Sequence, residues 1–495
     1  MTSSSGMAVI DYSTFIRSDA FINGRWVGQS AGKTFPVINP ATGLVITHVP
    51  DMGGAEAQDA VEAAAAAFPA WRKMTARERA KILQKWNALV IQHADGLAAL
   101  LTAEQGKPFA EAKGEVLGGA TSIEWSAEEG QRLYGDTIPS HKADARVIVT
   151  KEPVGVVAAI TPWNFPSSMI TRKVSPALAA GCTVVLKPAE DTPLSALALA
   201  ILAQEAGFPN GVFNVVTGSL TSAPAIGEVF TTHPQVKKVS FTGSTEVGKI
   251  LMKQSASTIK RLSLELGGNA PFIVFDSANL EKAVEGAIAS KFRNAGQTCI
   301  CANRIYVQDG VHDQFAKLFI DRVRDLKVGP GDQPGIQIGP LINQDGIDKV
   351  VQHIEDAKSK GARLLCGGKA HAAGSLFFQP TVLSGMTTAM RVSSEETFGP
   401  VAGLFRFKDE ADVIKLANDT RYGLASYFYT QDLGQAFRVA EALEYGMVGV
   451  NEALLAAASV PFGGVKESGV GREGSHYGMD DFVNIKYMLV GGITG

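Results

Sequence analysis

The pattern of apolar and polar positions divides the chain into three textures. After a polar start, Phe21 to Pro50 reads as strand and turn, with Asn23-Gly24 a hairpin signal. Glu56 to Trp71, Arg77 to Gln92 and Asp95 to Gln105 carry apolar residues at helical spacing. After a break at Gly106-Lys-Pro108, a further helical stretch runs from about Phe109 to Leu133. From Val154 the texture becomes short β-branched runs separated by helices. The runs are Gly155 to Ile160, Thr183 to Lys187, Val212 to Val216, Val239 to Thr242 and Arg261 to Glu265, with helices over Pro193 to Ala206 and from Glu246. Strands at this spacing, bridged by helices, predict a parallel sheet of the nucleotide-binding kind.

A second alternating block follows Gly268. Phe272 to Phe275, Arg304 to Val307 and Val401 to Phe407 read as strands. Asn279 to Asn294, Val311 to Leu326, Lys349 to Lys360, Glu410 to Asp419 and Leu433 to Leu443 read as helices. Two α/β domains joined near Gly267-Gly268 are the simplest arrangement. Ile485 to Val490 is strand-like with no evident sheet of its own, the kind of segment that pairs with another subunit. The first 20 or so residues read as a flexible tail, and polar Met1 to Met7 lacks the basic-then-apolar order of a signal peptide.

Composition narrows the classes. The 495 residues are 45% hydrophobic and 19% charged, enough to bury a large core. A formal net charge of −3 gives no basic excess for nucleic acid or an anionic membrane, and no apolar stretch approaches the ~18 residues of a membrane span. Four cysteines are too few for a disulfide scaffold, so a reducing, cytoplasmic compartment is expected. They form no C-x-x-C pair, the histidines form no H-x-x-x-H, and no metal site is expected.

Candidate chemistry gathers at strand ends and turns. Cys299, in Asn294-Ala-Gly-Gln-Thr-Cys299, sits on a Gly-containing turn after a helix. By type alone it is first a buried structural thiol, and otherwise a candidate nucleophile. Glu265 ends an apolar strand, where α/β proteins place their sites, and is a candidate base or a strand-end ion pair. Asn164, in Thr161-Pro-Trp-Asn-Phe-Pro166, follows another strand and offers an amide for an oxyanion or an Asx-turn. Lys187-Pro-Ala-Glu190 suits ribose hydroxyls or a solvated ion pair. Phe241-Thr-Gly-Ser-Thr-Glu-Val-Gly248 opens a helix and suits a pyrophosphate or a plain capped start. Glu395-Glu-Thr-Phe-Gly-Pro400 alone is an acidic turn.

Together with Glu265-Leu-Gly-Gly268, Gly296-Gln-Thr-Cys299 and Pro461-Phe-Gly-Gly464, these segments resemble the aldehyde dehydrogenase superfamily in order and spacing from about Phe21 to Tyr487. Met169-Ile-Thr-Arg-Lys173, Lys291 to Cys301 and Gly471-Arg-Glu-Gly474 resemble the succinate-semialdehyde dehydrogenases in particular. One departure stands out: Ala456 and Ala457 occupy places where that subfamily has serine in the loop before Pro461. Glutarate semialdehyde and sulfolactaldehyde are therefore alternative substrates.

The resemblance implies an α/β fold with a Rossmann-like cofactor domain over 21–134 and 153–266. A catalytic domain would cover 267–477, and a small β oligomerisation arm 135–152 and 478–495. It implies that Cys299 attacks the aldehyde, that Asn164 and the Cys299 backbone N–H hold the oxyanion, and that Glu265 activates the hydrolytic water. NAD, with NADP as the second choice, would be held by Thr161, Pro162, Trp163, Lys187, Glu190, Gly243, Ser244, Gly248, Leu266, Glu396 and Phe398. Arg172, Arg293 and Ser459 would bind an anionic substrate tail, and Cys301 is a redox candidate beside the nucleophile. The implied assembly is a homo-oligomer, dimer or tetramer. The alternatives are a coenzyme A-acylating enzyme or a non-catalytic protein of the same fold.

Overall fold

Five of the apolar runs lie side by side in the computed structural model, which describes residues 10–28 and 32–493. Val156–Ile160, Thr183–Lys187, Phe213–Val215, Val236–Thr242 and Arg261–Glu265 form the parallel centre of an eight-stranded sheet. The antiparallel hairpin Ala20–Ile22/Arg25–Val27, turning at Asn23-Gly24, closes one edge, and Gly469–Val470 closes the other. Helices cover both faces, so Val156–Ile160 and Thr183–Lys187 are buried almost throughout rather than on alternate positions. Strand order reverses between Val156–Ile160 and Val236–Thr242, which opens a crevice at their carboxyl ends. The register sets Ile160 beside Lys187 and Phe241, and Thr242 beside Glu265.

The chain crosses at Leu266 to Asn269 into a seven-stranded sheet. Its strands run in the order Arg363–Cys366, Thr381–Ser384, Val401–Phe407, Ala302–Gln308, Ala270–Val274, Ala425–Tyr429 and Met447–Val450, and all pairs but the first are parallel. Segments leading into the amino ends of this sheet carry Cys299 and Glu396. They meet the segments that leave the carboxyl ends of the first sheet.

Several expectations change. The tail is shorter than 20 residues: Ser13–Phe15 forms a 3-10 turn, and Phe15 is buried against the helical layer, edge-on to His93. Residues 1–9 lie outside the described part. The last strand, Val483–Val490, does have a sheet within its own chain. It pairs antiparallel with Arg146–Pro153, which in turn pairs with Asp136–Ile138. Two further helices appear, Ser168–Ala180 and Ala223–Thr232. In the first, every residue but Ser168 and Arg172 is buried and Pro176 lies inside, so no amphipathic stripe exists to be read. The helix predicted to reach Asn294 stops at Phe292. Among the described residues, no helix is long and apolar enough to cross a membrane.

Candidate active site

The turn carrying Cys299 has a backbone that is costly to form. Asn294, Ala295 and Gly296 follow one another with φ of 51°, 55° and 76°. Left-handed conformations cost non-glycine residues of order 1–3 kcal/mol each and persist only where surroundings fix them. Here the surroundings do. Asn294 N donates to Glu111 Oε2 at 2.8 Å, Gln105 Nε2 donates to Asn294 Oδ1 at 3.0 Å, and Asn294 Nδ2 donates to the Asn164 carbonyl at 2.9 Å. Behind Cys299, a Cβ on Gly268 would lie 2.3 Å from the Cys299 carbonyl oxygen, so only glycine lets the two segments approach.

Asn164 is buried across from this turn. Its Nδ2 donates to the Gln297 carbonyl at 3.0 Å, which leaves its second N–H available. Its own carbonyl accepts from Lys107 Nζ at 2.7 Å, and Lys107 is paired with Glu115 at 2.5 Å in full burial. Glu115 in turn accepts from Ser167 N and Ser168 N, so one buried ion pair fixes both the Asn164 turn and the start of helix Ser168–Ala180. None of these supporting residues has a sequence signal, because each contact joins segments far apart in the chain.

Glu265 is buried at its strand end, and its Oε2 has no hydrogen-bond partner. Burial pushes its carboxyl well above the usual range. The neighbouring Glu473 adds to this, and Lys173, Arg172 and Arg472 oppose it. Burial also works to raise Glu473, but Lys173 and Arg172 hold it below the usual range. Glu473 pairs with Lys173 and lies 3.5 Å from Arg172 Nε. Burial pushes the half-buried Cys299 thiol up to about 12, with Glu396 and Glu265 adding to it and Arg172 and Arg293 opposing. The thiol therefore holds its proton at neutral pH, and burial favours the neutral form of Glu265.

This linkage predicts a pH effect. A base works only after losing its proton, so activity should rise with pH through a raised Glu265 pKa. Glu473→Gln removes the negative neighbour and frees two cations, so the acid limb of the kcat profile should move to lower pH. Lys173 is then left buried without its partner, and the thermal midpoint should fall by the equivalent of about 3–5 kcal/mol. An acid limb unmoved in a folded Glu473→Gln protein would sever Glu473 from the base.

A cavity of about 380 Å³ opens in front of Cys299 and brings Arg172 and Arg293 into the same space. The two arginines are not equivalent. Arg172 is shared with Glu473 and lies over the Phe462 ring at 4.1 Å. Arg293 lies over the Phe165 ring at 5.3 Å, with no carboxylate within 4.0 Å among the described residues. Ala456 and Ala457 line the cavity, but Ser459 does not. A turn closed by Val460 N donating to the Ala457 carbonyl at 3.4 Å puts Ser459 at an exposed tip. That removes Ser459 from the expected substrate set. Cys301 is buried, its thiol donating to the Lys291 carbonyl at 3.3 Å.

The crevice beside Glu265 gathers the expected cofactor residues. Thr161, Pro162 and Trp163 leave the strand Val156–Ile160, and Trp163 meets Phe398 edge-on at 5.4 Å. Lys187 Nζ and Glu190 Oε2 lie 3.1 Å apart. Gly243 N donates to the Glu265 carbonyl at 3.1 Å, and Ser244 caps helix Thr245–Ser255 through Val247 N at 3.2 Å. Gly248 packs on Leu266, where a Cβ would lie 2.6 Å from Cδ2. Glu396 Oε1 accepts from Gly268 N at 3.2 Å, and burial pushes this carboxyl to about 7. Thr161 Oγ1 and Thr242 Oγ1 are buried strand-end hydroxyls with no hydrogen-bond partner among the described residues. Orphaned hydroxyls beside a capped helix N-terminus fit a polar, anionic cofactor.

A cysteine on a strained turn, a buried carboxyl at a strand end and a switch-point crevice come together in one α/β chain, and the model of the Aldehyde dehydrogenase family matches residues 26–488. The chain belongs to this family. It is 60% identical to the NADP(+) succinate-semialdehyde dehydrogenase GabD of Escherichia coli, covering 97% of this chain and 99% of that one. It is 59% identical to the 3-sulfolactaldehyde dehydrogenase of Pseudomonas putida, covering 97% and 98%. A crystal structure of an E. coli NADP-dependent enzyme superposes with a TM-score of 0.96 at 60% identity, covering 97% of this chain and 99% of that one.

Proposed function

We propose that this aldehyde dehydrogenase oxidises an aldehyde with an anionic end, succinate semialdehyde or a close relative, to the carboxylic acid through a thioester on Cys299. The observation that carries the anionic end is Arg293, a guanidinium in the same cavity as Cys299 with no carboxylate within 4.0 Å among the described residues. The two relatives support it, since both are named for aldehydes bearing a carboxylate or sulfonate.

In this reading Arg293 orients the substrate by its anionic end. Cys299 loses its proton to solvent water, and its thiolate sulfur adds to the aldehyde carbon as the C=O π bond opens to an oxyanion. The free N–H of Asn164 and the Cys299 backbone N–H hold the oxyanion that forms. A bound nicotinamide would supply the hydride acceptor. Glu265 then takes a proton from a water that attacks the thioester, and Cys299 is released with the acid. Glu265 favours water over coenzyme A as the acyl acceptor. Glu396 and Phe398 would hold the nicotinamide end, Lys187 and Glu190 the adenosine ribose, and Ser244 the pyrophosphate.

Arg293→Ala should raise KM for a carboxylate-ended aldehyde by roughly tenfold or more, the scale of one charge-assisted hydrogen bond. KM for an uncharged aldehyde of equal length should barely change. Equal loss on both substrates would make Arg293 structural.

NAD is the preferred cofactor in this reading. Glu190 would stand against a 2′-phosphate, and at ~4 Å and an effective dielectric of about 20 the repulsion reaches ~4 kcal/mol. Solvent exposure of Glu190 reduces this, so a ten- to hundredfold preference is expected, or about 1.4–2.7 kcal/mol. Glu190→Ser should narrow the gap. Equal kcat/KM for NAD and NADP in the parent would contradict the assignment.

The assembly is read as a homo-oligomer, dimer or tetramer. Residues 21–134 and 153–266 act as the cofactor domain, 267–477 as the catalytic domain, and 135–152 with 478–495 as the oligomerisation arm. Ile485 at 74% exposure and Tyr487 at 56%, on the three-stranded sheet, support that last role. Four free thiols support a cytoplasmic setting.

A further inference from the structure

The cavity in front of Cys299 has one wall cut back further than the helix carrying it requires. Helix Phe109–Glu129 turns Gly114, Gly118, Ser122 and Ser126 toward the cavity at four-residue spacing. Glycine inside a helix costs about 0.5–1 kcal/mol relative to alanine. Neither Gly114 nor Gly118 has a positive φ, and a Cβ at either would meet nothing within 4 Å. Neighbouring Gly119 is different, since a Cβ there would come within 3.0 Å of Thr171 Oγ1, so packing explains it. No backbone or packing demand explains Gly114 and Gly118. What they leave is open space on the substrate side.

The same trimming recurs on a second segment that reaches the cavity independently. Ala456, Ala457 and Ala458 line it from the loop before Pro461. Gly474 and Gly478 also line it, but backbone and packing explain them: Gly474 has a φ of 69°, and a Cβ on Gly478 would lie 3.2 Å from the Glu473 main chain. The remaining lining sets apolar Trp125, Phe165, Met169 and Phe462 beside charged Glu111, Glu115, Arg172 and Arg293. The volume of about 380 Å³ corresponds to about a dozen waters at ~30 Å³ each, and a four-carbon aldehyde acid fills roughly a third of it. Unfilled apolar space forfeits contacts on one side and weakens positioning for attack. The hydroxyls on this wall add no competing demand: Thr121 Oγ1 donates to the Gly118 carbonyl at 2.8 Å and Ser126 Oγ to the Ser122 carbonyl at 2.8 Å.

We infer that the preferred substrate is an aldehyde acid with a bulkier apolar body than a four-carbon chain, its bulk seated between Gly118 and the Ala456–Ala458 loop. The inference rests on the reading that Arg293 holds an anionic end, and it adds the shape of what lies between that end and the aldehyde. Gly118 and Ala457 thereby become specificity-determining positions, without a role in the bond-making steps.

The test compares kcat/KM for succinate semialdehyde, the unbranched six-carbon ω-oxo acid and 4-formylbenzoate. Uncharged aldehydes of matching size run beside each. The parent enzyme should favour at least one bulkier acid over succinate semialdehyde by tenfold or more. Gly118→Leu fills the wall and raises helix propensity, so folding is not at risk. It should lower the ratio of bulky-acid to four-carbon kcat/KM by tenfold or more, and Gly118→Ala should lower it less. A parent that favours succinate semialdehyde, or a ratio that Gly118→Leu leaves unmoved, overturns the inference while the anionic reading stands. If bulky uncharged aldehydes match bulky acids and Gly118→Leu still moves the ratio, the wall assignment holds and the anionic reading falls.

Discussion

Cys299→Ala should lose aldehyde oxidation by about four orders of magnitude or more, the scale seen when a catalytic nucleophile is removed. Cofactor binding should stay nearly intact. The residues around the crevice, from Thr161 to Ser244 and Glu396, touch other partners, and Gly268 reaches the Cys299 main chain rather than its side chain. Losing one sulfur atom at a half-buried position should change stability by no more than about 1 kcal/mol. Fluorescence titration with NAD and absorbance of reduced nicotinamide read the two effects separately. More than about one per cent of parent activity in a purified, folded Cys299→Ala protein would remove the thioester from the account.

Glu265→Gln should fail differently. Burial favours the neutral form of this carboxyl, and a neutral amide of the same shape fits the same site. The first half of the reaction should survive. A rapid-mixing experiment should show about one equivalent of reduced nicotinamide per site, then a steady rate lowered by roughly 10²–10⁴-fold. The stalled species is the thioester. Steady turnover near the parent rate would show that another group activates the water.

These expectations draw on features that differ in how far the sequence reveals them. Glu265 and Asn164 were legible because apolar β-branched runs announce parallel strands, and parallel strands place sites at their carboxyl ends. Cys299 was legible as a turn residue but not as a nucleophile until its companions were read with it. Glu473 was not legible at all as a partner of the base. It meets Lys173 across 300 positions, and two segments that far apart share no local pattern. For the same reason the two-arginine clamp divided on inspection: Arg172 is shared with Glu473, a carboxylate that spacing alone does not place. Ser459 looked like a pocket hydroxyl by its position before Pro461, but a turn one residue either way decides whether a side chain faces in or out. The helix Ser168–Ala180 escaped notice because it is buried all round, and periodicity reports only helices with two unlike faces.

The central claim is oxidation to the free acid, with water as the acyl acceptor and an anionic end recognised by the cavity. It is tested most directly by incubating the unmodified enzyme with NAD and either a carboxylate-ended aldehyde or its uncharged equivalent, with and without coenzyme A. Reduced nicotinamide and the released product are then measured. The account predicts catalytic turnover to the carboxylic acid without coenzyme A, with kcat/KM at least about tenfold higher for the carboxylate-ended aldehyde. Turnover that begins only when coenzyme A is added, or equal efficiency on both aldehydes, would contradict it.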